Sequence, residues 1–307
     1  MNAEQFHQWS ATHLAQIERC LELWVPADAP AGLGDAMRYG VLDGGKRLRA
    51  LLVLAAAEAV GAHATAAGRD AMWRAATAVE LIHAYSLVHD DMPCMDNDVL
   101  RRGKPTVHVK YGEAQAMLAG DAMQALAFEV LTPDETPDTL PASQQARLSR
   151  LLARASGQSG MAGGQAIDLA SVGKGLDEAT LRDMHRRKTG ALLRASVQMG
   201  AACGAVPEQH ASWQALTAYG EAMGLAFQIV DDVLDATQSA ETLGKTAGKD
   251  ADANKPTYVS LLGLDKARAE ADSLLTQALS ALEGSGLPAD SLAALQALAL
   301  RIVQREH

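Results

Sequence analysis

Residues 83–103 read His83-Ala84-Tyr85-Ser86-Leu87-Val88-His89-Asp90-Asp91-Met92-Pro93-Cys94-Met95-Asp96-Asn97-Asp98-Val99-Leu100-Arg101-Arg102-Gly103. Apolar positions recur at three- and four-residue intervals up to and through the start of this stretch. That period predicts a helix over about 69–92 with an acidic cluster at its C-terminal end. Asp90, Asp91, Asp96 and Asp98 fall close together, and Arg101 and Arg102 follow at once. Carboxylates this close repel by about 4 kcal/mol for a pair at roughly 4 Å and an effective dielectric near 20. Such a cluster persists when it is solvated, partly protonated or neutralised by a cation. Hard oxygen ligands favour magnesium or calcium over zinc. Asp90 and Asp96 are poorly spaced for one helical face, but Pro93 between them breaks the ladder and can turn Asp96 back towards Asp90.

A second cluster, Phe227-Gln228-Ile229-Val230-Asp231-Asp232-Val233-Leu234-Asp235, sets Asp231 and Asp235 four apart, on one face of a helix. Two acidic clusters far apart in sequence, each bordered by cations, suggest a metal-bridged phosphate site. Magnesium takes one or two carboxylates and completes its shell with water and phosphate oxygens.

The same helical period runs nearly throughout, with no convincing alternating strand pattern. Helices are expected over 3–23, 33–42, 46–60, 69–92, 112–130, 143–171, 177–203, 208–236, 265–283 and 289–305. The segment 143–171 holds Gly157, Gly160, Gly163 and Gly164, which weaken a helix unless another backbone or a ligand passes close by. The proline-bearing loop 132–142 reads as a connection rather than a linker, and 237–256 as a polar, lysine-bearing active-site loop. The expectation is one all-α domain over residues 1–307. The net charge of −10 argues against a nucleic-acid partner, because such proteins carry a basic surface. Cys20, Cys94 and Cys203 form no CxxC pair, which argues against a zinc site or disulfide framework, and Cys94 reads as a small packing residue. The N-terminal residues lack a signal-peptide pattern and no apolar run approaches a membrane span, so a soluble, cytoplasmic protein is expected.

Gly44-Gly45 precede Lys46, Arg47 and Arg49 at a predicted helix start. Cations there oppose the helix macrodipole, and the reading that explains them is a diphosphate clamp built from helix N–H groups and side chains. Arg101-Arg102 fits the same purpose, or forms internal salt bridges to Asp96 or Asp98. Lys188, Lys245 and Lys255 are unremarkable alone, and His83 is better suited to a substrate oxygen than to a metal. No Walker loop is present, and Asp96-x-Asp98 is not completed as an EF-hand.

Gly44-Gly45-Lys46-Arg47-Leu48-Arg49, the stretch from His83 to Asp96, Leu100-Arg101-Arg102-Gly103, Lys188-Thr189-Gly190 and Phe227-Gln228-x-x-Asp231-Asp232-x-x-Asp235 stand in order. The set resembles the trans-isoprenyl diphosphate synthases, most closely the bacterial farnesyl diphosphate synthases, over roughly residues 30–262. Gly120-Asp121 and Gly160-Met161-x-Gly163-Gly164-Gln165 also look familial, and the last forty or so residues match loosely. The resemblance implies a helical bundle of the isoprenoid synthase type with its cavity between two Asp-rich helices.

It implies that Asp90 and Asp96 bind two magnesium ions and that Asp231 holds a third, with Asp235 acting through water. Asp91 and Asp232 join the catalytic set as the second carboxylates of the two motifs. The allylic diphosphate is placed by Arg101, Lys188, Thr189, Gln228, Lys245 and Lys255, and isopentenyl diphosphate by Lys46, Arg49, His83 and Arg102. A homodimer is implied as well. Tyr85, fifth before the motif, with small Ser86 beside it, implies a hydrocarbon floor that stops growth at fifteen carbons, (2E,6E)-farnesyl diphosphate. The alternatives are a geranylgeranyl diphosphate synthase, a terpene cyclase and a non-catalytic partner subunit. A cyclase would usually lack the Lys46/Arg49 clamp, and a partner subunit would show eroded aspartates.

Overall fold

The computed structural model describes residues 1–42, 44–237 and 257–305. Helices account for nearly all of the regular structure. They are α1 (Ala3–Trp24), α2 (Leu33–Val41), α3 (Leu48–Ala59), α4 (Ala66–Asp90), α5 (Val107–Tyr111), α6 (Glu113–Leu131) and α7 (Ala142–Ser156). Then come α8 (Met161–Ser171), α9 (Glu178–His185), α10 (Ala191–Cys203), α11 (Ala211–Thr237), α12 (Tyr258–Leu262), α13 (Leu264–Glu283) and α14 (Ala293–Val303).

Helices α3 and α10 are buried on nearly every side, which suits their Ala- and Leu-rich sequences and places them at the centre. They pack on each other, with α4 against α3 and α6, and α11 against α10 and α13. One connected apolar core runs through all of these helices. α1 is tied to α3 through Trp9 and His13, whose ring nitrogens both reach the Glu58 carboxylate at 2.8 Å. The buried Tyr219 hydroxyl donates to Leu295 O at 2.7 Å and fixes α14 against α11, which sets where the C-terminal residues lie.

The structure departs from the sequence expectation at several points. The predicted 143–171 helix is two, α7 and α8, separated by a turn in which Gly160 N donates to Gly157 O. The predicted 177–203 helix is α9 and α10 joined by one π-helical turn, Arg186–Gly190, which carries Lys188 and Thr189. A two-stranded ribbon, β1 (Leu100–Arg101) with β2 (Lys104–Pro105), stands where no strand was expected. Its turn residues Arg102 and Gly103 have φ of 52° and 75°, the two-residue type that matches strand twist. Cys94 is exposed rather than packed, because the loop holding it turns away from the core.

Candidate active site

The first acidic motif straddles the end of α4. Beyond Asp90 the chain doubles back, with Met92 N on His89 O, Asp96 N on Asp90 O at 2.9 Å and Asp98 N on Asp91 O. The helix stops because Pro93 disfavours helical backbone at the residue before it. The fold therefore returns Asp96 to Asp90, as six-residue spacing on a straight helix could not. Burial pushes the Asp90 carboxyl up to about 6, with the Asp96 and Asp91 charges adding and Lys188 and Arg101 opposing. Asp91 is buried and bidentate to Arg101, with Nη2–Oδ1 at 2.6 Å and Nε–Oδ2 at 2.9 Å. The internal salt bridge expected of Arg101 is thus made, but to Asp91 rather than to Asp96 or Asp98 as sequence reading supposed.

Arg102, at the tip of the β1–β2 turn, donates to Gly44 O and lies across Gly45, so this turn meets the Gly44-Gly45-Lys46 loop. α3 begins just after, at Leu48, and Arg47 precedes it in left-handed conformation. Arg47 does not belong to a diphosphate clamp. It is buried, its Nε donating to Glu18 Oε1 at 2.7 Å and its Nη2 to Val41 O at 2.6 Å, with Glu80 beside Nη1 at 3.4 Å. Glu80 also accepts from Ala50 N at 3.1 Å, so a buried carboxylate from α4 caps α3 and offsets the cations at that end.

The Asp231 charge acts on both Lys46 and Arg49, and the Arg49 charge acts on His83. Burial pulls the proton affinity of Arg49 down, opposed by the Glu80 and Asp231 charges. Among the described residues its Nε has no hydrogen-bond partner. Burial, then the charges of Arg49, Arg102, Arg101 and Arg47, hold His83 well below the usual imidazole range. His83 is therefore neutral at neutral pH, a polar contact rather than a further cation. Lys46 is also lowered, by burial and by Arg305, while Asp231 opposes. The cations of the Gly44–Arg49 motif thus feel a carboxylate of the second acidic motif.

On α11, Gln228, Asp231 and Asp235 recur at three and four residues and share a face. Thr189 Oγ1 donates to Gln228 Oε1 at 3.0 Å, and Gln228 Nε2 donates to Asp232 Oδ1 at 3.0 Å. The other Asp232 oxygen accepts from Tyr258 N at 2.8 Å, and the carboxylate is buried. Asp231 pairs with Arg305, which also donates to Phe227 O at 3.0 Å and lies over the Phe227 ring at 4.2 Å. Lys188 Nζ donates to the buried Asp168 at 2.6 Å. The π-helical turn can approach α8 this closely because Gly164 faces it: a Cβ there would stand 2.2 Å from Lys188 N. The glycine-rich segment therefore answers to a close backbone approach. Lys245 and Lys255 lie outside the described residues.

Three residues of this site escaped sequence reading. Asp168 lies one helical turn after Gln165, where the quoted glycine motif stopped. Glu80 sat within an apolar run, a buried acid that needed explaining. Arg305 fell in the loosely matching C-terminal segment and gave no local signal.

The donors offered are carboxylate oxygens, and Asp90 and Asp96 are crowded enough for their charges to interact. No three His, Cys, Asp or Glu side chains among the described residues converge as a ready-made cage. A hard cation that takes one or two carboxylates and fills its shell with water and phosphate fits this set.

The family model described as Polyprenyl synthetase matches residues 30–288. The chain is 46% identical over 273 residues to the farnesyl diphosphate synthase of Escherichia coli (strain K12), covering 88% of each. It is 42% identical to geranylgeranyl pyrophosphate synthase 11, chloroplastic, of Arabidopsis thaliana, covering 100% of this chain and 84% of that one. The apo crystal structure of an FPP/GFPP synthase from Zymomonas mobilis superposes with a TM-score of 0.83 at 40% identity, covering 98% of this chain and 100% of that one. The ordered motifs, the helical fold and these matches agree, and the chain belongs to the polyprenyl synthetase family.

Proposed function

We propose that residues 1–307 act as one catalytic domain that condenses isopentenyl diphosphate with dimethylallyl and then geranyl diphosphate, releasing (2E,6E)-farnesyl diphosphate. The observation that carries this reading is the facing of acids and cations. Asp90 and Asp96 fold together opposite Lys188, while Lys46 and Arg49 look towards Asp231.

Asp90, Asp96, Asp231 and, through water, Asp235 would hold Mg²⁺, three ions when substrate is bound. Such ions neutralise a leaving diphosphate when allylic carbon–oxygen cleavage separates charge. Lys188, Thr189, Gln228 and Arg101 orient that diphosphate, with Lys245 and Lys255 assigned to it from the family pattern alone. Lys46, Arg49, Arg102 and neutral His83 hold the homoallylic partner so that its double bond faces the cationic carbon. Asp91 and Asp232 serve the site by fixing Arg101 and Gln228. The departing proton goes to the released diphosphate, and the apolar walls keep water from the cation.

Tyr85 supports the fifteen-carbon limit. It lies five residues before Asp90 on α4, about 7.5 Å along the axis, and is partly buried with its phenol facing Gln124 of α6. Ser86 beside it is small and donates to its own helix at His83 O. A cytoplasmic homodimer is part of the proposal. Exposed Val109, Met117 and Leu118 on α5 and α6 offer an apolar face for a second copy, and no described helix is long and apolar enough to cross a membrane.

The test is product length. Purified protein with Mg²⁺, dimethylallyl diphosphate and labelled isopentenyl diphosphate yields mainly farnesol after dephosphorylation. Geranylgeraniol as the main alcohol overturns the fifteen-carbon limit, and no elongation overturns the reaction.

A further inference from the structure

Beside Tyr85 stands an arrangement that the substrate contacts leave unexplained. His89 lies four residues on along the same face of α4, and the two rings meet edge-on, with centroids 5.8 Å apart at 77°. The His89 Nε2–H donates to the backbone carbonyl of Met117 on α6 at 3.0 Å, which fixes the tautomer because a carbonyl only accepts. The imidazole is seated in a notch that only glycine leaves open. A Cβ on Gly120 would stand 2.0 Å from Nε2 and 2.4 Å from Cδ2. Gly120 is buried and lies mid-helix in α6, where glycine costs about 1 kcal/mol against alanine, so its presence asks for a local reason.

We propose that His89 and Gly120 are positioning residues for product length, bracing the Tyr85 ring between α4 and α6. The Gly120 notch admits the imidazole, the Met117 carbonyl fixes its plane, and its edge holds the phenol ring against the lengthening hydrocarbon. Without the brace, Tyr85 rotates under a fifteen-carbon tail and a further condensation follows. This inference rests on the reading of Tyr85 as the floor.

The experiment measures alcohol chain lengths and unfolding midpoints for the full-length protein and five variants. Tyr85→Ala tests the floor by itself and should lengthen the product. His89→Ala should raise the fraction longer than fifteen carbons at least severalfold. His89→Gln, whose amide can still donate to the Met117 carbonyl, should recover most of the wild-type distribution. Gly120→Ala unseats the imidazole and should lengthen the product too. Adding it to His89→Ala should change nothing further, since no ring is left to displace. If Tyr85→Ala lengthens the product while His89→Ala and Gly120→Ala keep the wild-type distribution, the brace is wrong and the floor stands, whatever the midpoints do. If Tyr85→Ala itself stays at fifteen carbons, the floor fails and the brace with it.

Discussion

The two acidic motifs look alike in sequence and are built differently. The first sits where α4 ends, on a loop that curls back until Asp96 meets Asp90, and its carboxylates crowd one another. The second lies along unbroken helix, so its carboxylates are spread by the helical period, with Arg305 and Lys46 beside Asp231. Yet both divide their labour the same way. In each Asp-Asp pair the second carboxylate is buried and tied into the fold, Asp91 to Arg101 and Asp232 to Gln228 and Tyr258 N. The first of each pair, Asp90 and Asp231, is the less buried. Adjacent residues on a helix point about 100° apart, so the two carboxylates of a pair meet different surroundings.

This comparison can be broken at several points, and the largest effect is expected at Lys188. Lys188→Ala should lower kcat by about 10²–10³-fold, the usual loss when one charge-stabilising donor goes. It also strands the buried Asp168 carboxylate, so the unfolding midpoint should fall. Adding Asp168→Asn should restore the midpoint without restoring turnover, and unfolding curves beside steady-state rates will show whether the two losses separate.

Asp232→Asn comes next. The amide keeps one acceptor but sets an N–H against either Tyr258 N–H or the Gln228 amide, at a cost of about 2–3 kcal/mol in chemical denaturation. Activity should survive in the folded fraction. Asp231→Asn should do the reverse.

His185 predicts an acid sensitivity unrelated to the aspartates. It is buried against Tyr258, ring centroids 5.5 Å apart, and burial pulls it down to about 4, opposed by the Asp168 charge and aided by a smaller push from Lys188. A folded-state value below the unfolded one means stability is complete above about 6.5 and declines as pH falls towards 4. By pH 5 the loss is about 2 kcal/mol. His185→Phe should remove that slope between pH 7.5 and 5, as followed by thermal unfolding in a series of buffers.

The smallest effect is expected at Arg305. Arg305→Ala should raise KM for isopentenyl diphosphate roughly fivefold, about 1 kcal/mol, with little change in stability, because a partly exposed ion pair contributes little to folding.

The helical class and both motifs were legible because each is a local pattern, a period or a cluster that needs no partner. The return of Asp96 to Asp90 was legible from Pro93 for the same reason. The π-helical turn at Arg186–Gly190 was not, because it depends on packing against Gly164 of α8. Glu80, Asp168 and Arg305 are each defined by an interaction with a residue remote in sequence, namely Arg47, Lys188 and Asp231. Arg47 shows the converse error: its place in a run of cations suggested a ligand contact, whereas Glu18 of α1 and Glu80 of α4 make it a buried strut.

The division of labour within a motif is tested most directly by comparing Asp90→Asn with Asp91→Asn for turnover and for unfolding without divalent ions. The raised Asp90 carboxyl means that stability is lost as pH rises from about 4 to about 6, so its ionised form opposes folding at pH 7.5. Asp90→Asn should therefore lose turnover on the order of 10³-fold while its unfolding free energy at pH 7.5 holds or rises, by no more than about 3 kcal/mol. Asp91→Asn should lower the midpoint, because Arg101 loses a buried charged partner, and should lose less turnover. An Asp90→Asn protein that unfolds early but turns over normally, or an Asp91→Asn protein that is stable but inactive, would contradict the account.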